Sequence, residues 1–270
     1  MLEIFTYSFM VRAFIAGIAI GVVAPLIGTF LVAKRYALIA DSLAHISLAG
    51  VAAGVLIGIN PILSALVVAA AAAVLIEKLR AGGRLSGELA LAMFLSSGLA
   101  IAVVLIGLAQ KVNIDLFSFL FGSIATVQPI DLMLIVPMAL GIVALSILLY
   151  KELAYVSFDD EQARVSGLPT KALNQALVFF AAITVVVSLR IVGGLLIGAL
   201  MVIPVATAMQ LARSLKQTIF FAITFGLAAV ITGLFAAFYL SLAAGGTIVI
   251  VALGLFAIAL LWRKTMTSAS

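Results

Sequence analysis

Cysteine is absent from this chain of 270 residues, and histidine and tryptophan each occur once. Without cysteine, disulfides and thiolate metal ligands are excluded. One histidine cannot form an H-E-x-x-H zinc site, and few catalytic arrangements remain, so an enzyme is a poor reading. No G-x-x-x-x-G-K-S/T stretch occurs, and the chain therefore has no P-loop with which to hydrolyse ATP. Charge is scarce too. Only 9% of residues are charged while 66% are hydrophobic, and no soluble core of this size needs so little polar surface.

What is present is a succession of apolar runs of ~20 residues, each long enough to span a bilayer. They are bounded by charge, proline or glycine and fall at about Val11–Val32, Tyr36–Ile59, Pro61–Glu77, Leu89–Leu108, Ile130–Leu149, Ala172–Leu189, Ile191–Leu211, Thr218–Leu240 and Thr247–Leu261. The expectation is an all-α, polytopic integral membrane protein in the lipid bilayer, with about nine transmembrane helices and eight as the alternative count. The joints are short, which leaves no stretch for a separate soluble domain, and 1–270 reads as one transmembrane domain. The first run follows only Glu3, without a basic leader or a small-residue cleavage pattern, and reads as part of the mature protein.

A net charge of +5 would point to nucleic acid in a soluble protein, but here its placement matters more. If the joint holding Lys34 and Arg35 is cytoplasmic, Lys78, Arg80, Arg84, Lys151, Arg164, Lys171, Arg213, Lys216, Arg263 and Lys264 join it. Only Arg12, Lys111 and Arg190 stay outside. That bias predicts an outer N-terminus and an inner C-terminus, and no nucleic-acid role.

The most informative run is YALIADSLAHISLAGVAAGVLIG (Tyr36–Gly58), which carries Asp41 and His45. Their i, i+4 spacing places both on one helix face about a turn apart. Counting helical rise from Arg35 puts His45 about 15 Å in, near the middle of a ~30 Å core. Gly50, Gly54 and Gly58 repeat on the opposite side, as a small-residue strip against which another helix can pack closely. An ionisable group at bilayer depth costs roughly 2.5–3.5 kcal/mol and therefore faces a cavity, a partner or a pathway. A buried histidine is often only a hydrogen-bonded structural group, but an aspartate one turn away supplies a second ligand. Carboxylate with neutral imidazole suits Zn²⁺ and also accepts Mn²⁺ or Fe²⁺.

Three further stretches carry signals. Lys111–Asp131 is too short and too broken by Asp115, Gly122 and Pro129 for an ordinary crossing, and reads as an external helix or partial re-entrant segment; a loop with apolar interfacial anchors is the alternative. In the longest polar joint, Tyr150–Asn174, Ser157 is placed to cap a helix of about two turns with Asp159, Asp160 and Glu161 near its start, stopped by Gly167 and Pro169. In Leu189–Leu211, Gly194 and Gly198 form a GxxxG and Pro204 is expected to kink the helix by freeing the Leu200 carbonyl.

Four of these motifs, DSLAHISLAGVAAG, NIDLFSFLFGSI, SFDDEQARVSG and VGGLLIGALMVIPVATA, together resemble the permease subunits of ABC importers for zinc, manganese and iron, in the expected order and over nearly the whole chain. The first motif and LFSFLFGSI look most like the zinc importers. The resemblance implies a homodimer related to the cobalamin and siderophore importer permeases, with its pathway between the two copies. It implies two ATP-binding subunits inside, an extracytoplasmic metal-binding protein outside, no permanently bound cofactor, and a place in the bacterial cytoplasmic (inner) membrane. It further implies that Asp41 and His45 handle the cation, and that Phe158, Asp159, Asp160, Glu161, Gln162, Ala163, Arg164, Val165 and Gly167 form the coupling helix to the ATPase. One departure is in the fourth span, where some zinc-importing relatives carry a histidine and this chain has Met93, Phe94, Leu95 and Ser96. No histidine-rich loop occurs. The competing reading is a proton-coupled secondary transporter in which Asp41 and His45 relay protons.

Overall fold

The computed structural model describes residues 2–81, 86–108 and 116–268. Arg84, Lys111 and the Lys111–Asp115 start of the external segment lie outside the described residues. In order, the helices are α1 (Ser8–Ala33), α2 (Ile39–Ile57), α3 (Pro61–Ala81), α4 (Gly87–Leu108), α5 (Leu116–Phe121), α6 (Pro129–Leu148), α7 (Tyr150–Phe158), α8 (Asp160–Val165), α9 (Thr170–Ser188), α10 (Ile197–Leu211), α11 (Leu215–Leu240) and α12 (Ala244–Ser268). Only helices can satisfy their own backbone groups in lipid, and no strand is present among the described residues.

Among the described residues, eight helices are long and apolar enough to cross a bilayer: α1, α2, α3, α4, α6, α9, α11 and α12. The ninth expected span is shorter than the sequence suggests. Helix α10 begins at Ile197, not Ile191, and its 15 residues reach only about 22 Å. The missing length has a physical cause. Backbone around 190–195 bonds to 119–123 instead of coiling: Gly194 N–H donates to the Phe119 carbonyl (2.7 Å), Leu195 N–H to Leu120 (3.1 Å) and Ser123 N–H to Arg190 (3.0 Å). Gly122 (φ +75°) and Gly193 (φ +86°) lie where these segments meet, and a Cβ on either would run into the other segment's backbone. Gly194 and Gly198 therefore do not lie on one helix, and the expected GxxxG is not formed. Helix α10 stays helical through Pro204, which has no N–H to give the Leu200 carbonyl.

Helices α1 and α2 form the interior. Helix α2 packs between α3, α4, α9 and α10, while α1 packs on α6, α9, α10 and α11. The basic residues separate by ends. At one, Lys34 pairs with Asp160, Arg80 stacks on Tyr36, and Arg35, Phe158 and Arg213 line a common cavity. At the other, Arg12 donates to the Val127 carbonyl (2.8 Å) and Arg190 pairs with Asp131 (3.7 Å). Asp131 also forms the capping box that opens α6, its carboxylate accepting from the Gln128 N–H at 2.9 Å.

Candidate functional site

The chain leaves α1 at Lys34 and enters α2 through a tight turn. Arg35 takes a left-handed conformation (φ 62°), Tyr36 N–H bonds back to Leu31 (2.8 Å), and Ile39 N–H to Tyr36 (3.0 Å). Residues 35–38 are therefore not helical. Helix α2 starts at Ile39, which puts His45 about 9 Å along a helix about 28 Å long, a third of the way from the basic end and short of the middle.

From Ile39 to Ala52 every residue is buried except Asp41 and His45, which are half-buried. The helix is thus enclosed on all faces save the one that carries its carboxylate and its imidazole. His45 Nδ1 lies 3.2 Å from the Leu95 carbonyl of α4. A carbonyl only accepts, so this bond assigns the ring proton to Nδ1 and leaves the Nε2 lone pair available for a cation. Helix α4 reaches this close because Gly98 sits against the backbone of His45 and Ile46, where a Cβ would be 2.7 Å from Ile46 N. Ser42 strengthens the seam by donating to the Leu91 carbonyl at 2.9 Å. Sequence reasoning missed Gly98 and the Leu95 carbonyl; the small-residue run Ser96, Ser97, Gly98 was the available signal, one shared by many packed membrane helices.

Asp41 meets α10. Its carboxylate lies against the Cα of Gly198 in the first turn of that helix, so closely that a Cβ there would overlap Oδ1. The positive end of the α10 dipole favours a carboxylate at this place. Among the described residues, no group of three or more Asp, Glu, His or Cys side chains comes together, so a single chain brings one oxygen and one nitrogen donor to this face.

The small-residue strip divides. A Cβ on Gly50 would lie 2.6 Å from Ala65 Cα, and one on Gly54 2.7 Å from Ser64 Cβ, so α3 packs directly on these two glycines. Gly58 does not continue the strip. It is the C-cap of α2 (φ 74°) with open space around it.

The polar joint Tyr150–Asn174 is built differently from the expectation as well. Ser157 lies in the last turn of α7 and does not cap α8. The cap is Asp159, whose carboxylate accepts from the Gln162 N–H at 2.9 Å. The 6 residues of α8 make less than two turns, and Gly167 (φ 85°) follows. Ala163 is its buried residue, packed with Val156 and Leu173. Phe158 and Val165 project outward, 68% and 86% exposed, as apolar side chains with no cover in the single chain. Lys34 and Asp160 join this segment to α1. Burial pulls the Lys34 ammonium below its ordinary range against the pull of Asp160. Burial pushes Asp160 up, but hydrogen bonds from Asn174 and Lys34 and the charges of Lys34 and Arg80 outweigh it and hold the carboxyl below its usual range.

Comparison with known proteins gives one family. The model of the ABC 3 transport family matches residues 6–263. A probable metal transport system membrane protein of Treponema pallidum is 38% identical over 89% of this chain and 90% of its own length. The manganese transport system membrane protein MntC of Listeria monocytogenes is 32% identical over 95% of this chain and 91% of its own. The high-affinity zinc uptake system membrane protein ZnuB of Haemophilus influenzae is 30% identical over 96% of this chain and all of its own. Among solved structures, PsaBC from Streptococcus pneumoniae in complex with Fab superposes with TM-score 0.85 at 33% identity, over 96% of this chain and 92% of that one. An inward-facing putative metal-chelate type ABC transporter shares the fold, with TM-score 0.73 at 16% identity over 93% of this chain and 85% of that one.

Proposed function

This chain belongs to the ABC 3 transport family of metal-importer permeases, and from that premise we propose that Asp41 and His45 are the groups that pass a divalent transition-metal ion across the membrane between two copies of the chain. The observation that carries this reading is the pair of openings on α2: a carboxylate and an imidazole are the two half-buried side chains in an otherwise buried stretch. A second copy facing the first would contribute the same pair. Two oxygens and two nitrogens then meet the four-ligand preference of Zn²⁺. A transport site must also release its ion, which weaker coordination by one pair at a time permits.

In this reading ATP is hydrolysed by separate subunits docked on the segment Phe158–Gly167, whose exposed Phe158 and Val165 supply the apolar contact. A metal-binding protein delivers the ion at the end bearing Arg12 and Arg190, which faces outside the cytoplasmic membrane; the end bearing Lys34, Arg80 and Arg213 faces in. The ion is cargo and no cofactor is held permanently. Family membership sets aside the proton-coupled carrier. For the cargo itself two readings stand: zinc, from the donor count and the 30% identical zinc relative, and manganese, from the 32% identical manganese relative. Either metal accepts these donors.

The test is uptake by the complex reconstituted in vesicles with its ATPase and binding protein, offered labelled zinc and manganese in competition. Asp41→Asn and His45→Leu each remove a polar burden from the bilayer and should insert as well as wild type. Uptake of the cargo metal should fail in both while ATPase activity survives. Wild-type uptake by a folded double variant would remove the pair from the mechanism, and a fall in uptake matched by lost dimer yield would make it structural.

A further inference from the structure

The α7–α8 segment packs on α9 through Val156, Ala163 and Leu173, and a buried polar contact at Lys34 ties it to the end of α1. Lys34 is the C-cap of α1, and its side chain is only 7% exposed. Its Nζ donates to Asp160 Oδ1 at 2.9 Å and to the Val156 carbonyl at 2.9 Å, reaching both the last turn of α7 and the first of α8. Asn174 donates to the same Oδ1 at 2.9 Å and fixes Asp160 to α9. Lys34 also opens the turn that leads into α2, where its own N–H bonds to Phe30 and the Tyr36 N–H to Leu31. Arg80 stacks on Tyr36 with its guanidinium 4.1 Å from the ring centre, while Glu77 holds the same Arg80 at 3.1–3.2 Å. The turn is thus bonded along its length and clamped by α3, with Lys34 in contact with the segment below. A displacement of the α7–α8 segment reaches Lys34 through two contacts, the ion pair with Asp160 and the hydrogen bond to the Val156 carbonyl, and from Lys34 the chain runs on through the turn into the first turn of α2, which holds Asp41.

We infer that Lys34 is a positioning residue for transport: through Asp160 and the Val156 carbonyl it carries the movement of the α7–α8 segment to the α1–α2 turn and so to Asp41. This rests on the reading of Phe158–Gly167 as the ATPase contact. Lys34 touches neither metal nor nucleotide in this scheme. Its removal should leave both partners' own activities in place and break the link between them, whereas a salt bridge that served folding alone would alter yield and unfolding temperature and leave stoichiometry intact.

The experiment uses the complete importer in vesicles and measures metal moved per ATP hydrolysed. Lys34→Met keeps the stem and removes the charge; Asp160→Asn, at a side chain 53% exposed, removes the opposite charge with little threat to folding. In both, ATPase activity should persist while metal per ATP falls several-fold. The reversed pair, Lys34→Asp with Asp160→Lys, should recover part of the loss. Phe158→Ala serves as the separate check on the docking reading: it should weaken binding of the ATPase subunit. If Phe158→Ala does so but Lys34→Met and Asp160→Asn keep the wild-type ratio of metal to ATP, the role of Lys34 is overturned and the docking reading stands. If Phe158→Ala binds the ATPase as wild type does, the docking reading fails, and the inference with it. Should Lys34→Met not assemble, Asp160→Asn alone decides: an unchanged ratio overturns the inference.

Discussion

The carboxylate of Asp41 rests on the bare Cα of Gly198, so the second residue of α10 is held open for a side chain of α2. Gly198→Ala should push Asp41 out of its place. Overpacking of this kind costs about 1–3 kcal/mol. Metal uptake should drop markedly even where the protein still accumulates. Gly141→Ala, with nothing within 4 Å of the new Cβ, is the control and should match wild type or gain up to about 1 kcal/mol in helix stability. Equal uptake by the two variants would show that Asp41 does not need its present position.

Gly50 and Gly58 should respond to alanine in different ways. At Gly50 the methyl meets the α3 backbone, and thermal unfolding in detergent should reveal a loss of about 1–3 kcal/mol. At Gly58 the space is open, and only the left-handed conformation resists, at about 1–2 kcal/mol. Adding Leu in place of Ala separates them further: the Gly50 variant should fail to fold, whereas Gly58→Leu should lose no more than Gly58→Ala.

The orientation can be read with single cysteines, since the chain has none of its own. Ala125 and Glu161 are both exposed, at opposite ends. An impermeant thiol reagent added to intact cells should label Ala125→Cys and spare Glu161→Cys until the membrane is opened. The reverse pattern would invert the topology.

The pair of Lys34 and Asp160 predicts a pH response of known sign. Asp160 has its carboxyl held below the ordinary aspartate value of about 3.9. Its contribution to stability is therefore complete above that value and is lost as pH falls through the lower folded one. Lys34 gives a slope of the same sign in the alkaline window, because burial depresses its folded pKa from about 10.4. Between the two values the unfolded chain binds more protons, and stability rises with pH. Unfolding temperature followed across both windows should show a shallower acid-side loss in Asp160→Asn and a flatter alkaline limb in Lys34→Met. Variants whose limbs parallel wild type would mean that the two groups titrate alike folded and unfolded.

Much of this protein is local. Scarce charge and recurrent apolar runs determine a helical membrane protein, because lipid accepts little else, and eight of nine expected spans correspond to full-length helices. The i, i+4 spacing of Asp41 and His45 determines that they share a face whatever surrounds them. Tertiary structure alone decided that this face is the open one on α2, since burial depends on where α3, α4, α9 and α10 stand. It decided that α10 begins at Ile197, because the backbone at 190–195 finds its hydrogen bonds in residues some seventy positions away, and that Gly194 and Gly198 part company as a result. It decided that Gly58 caps while Gly50 and Gly54 pack. And it brought Lys34 to Asp160 across 126 positions of sequence, a pairing that no spacing along one helix encodes and that arises because a buried ammonium must find an acceptor wherever the fold presents one.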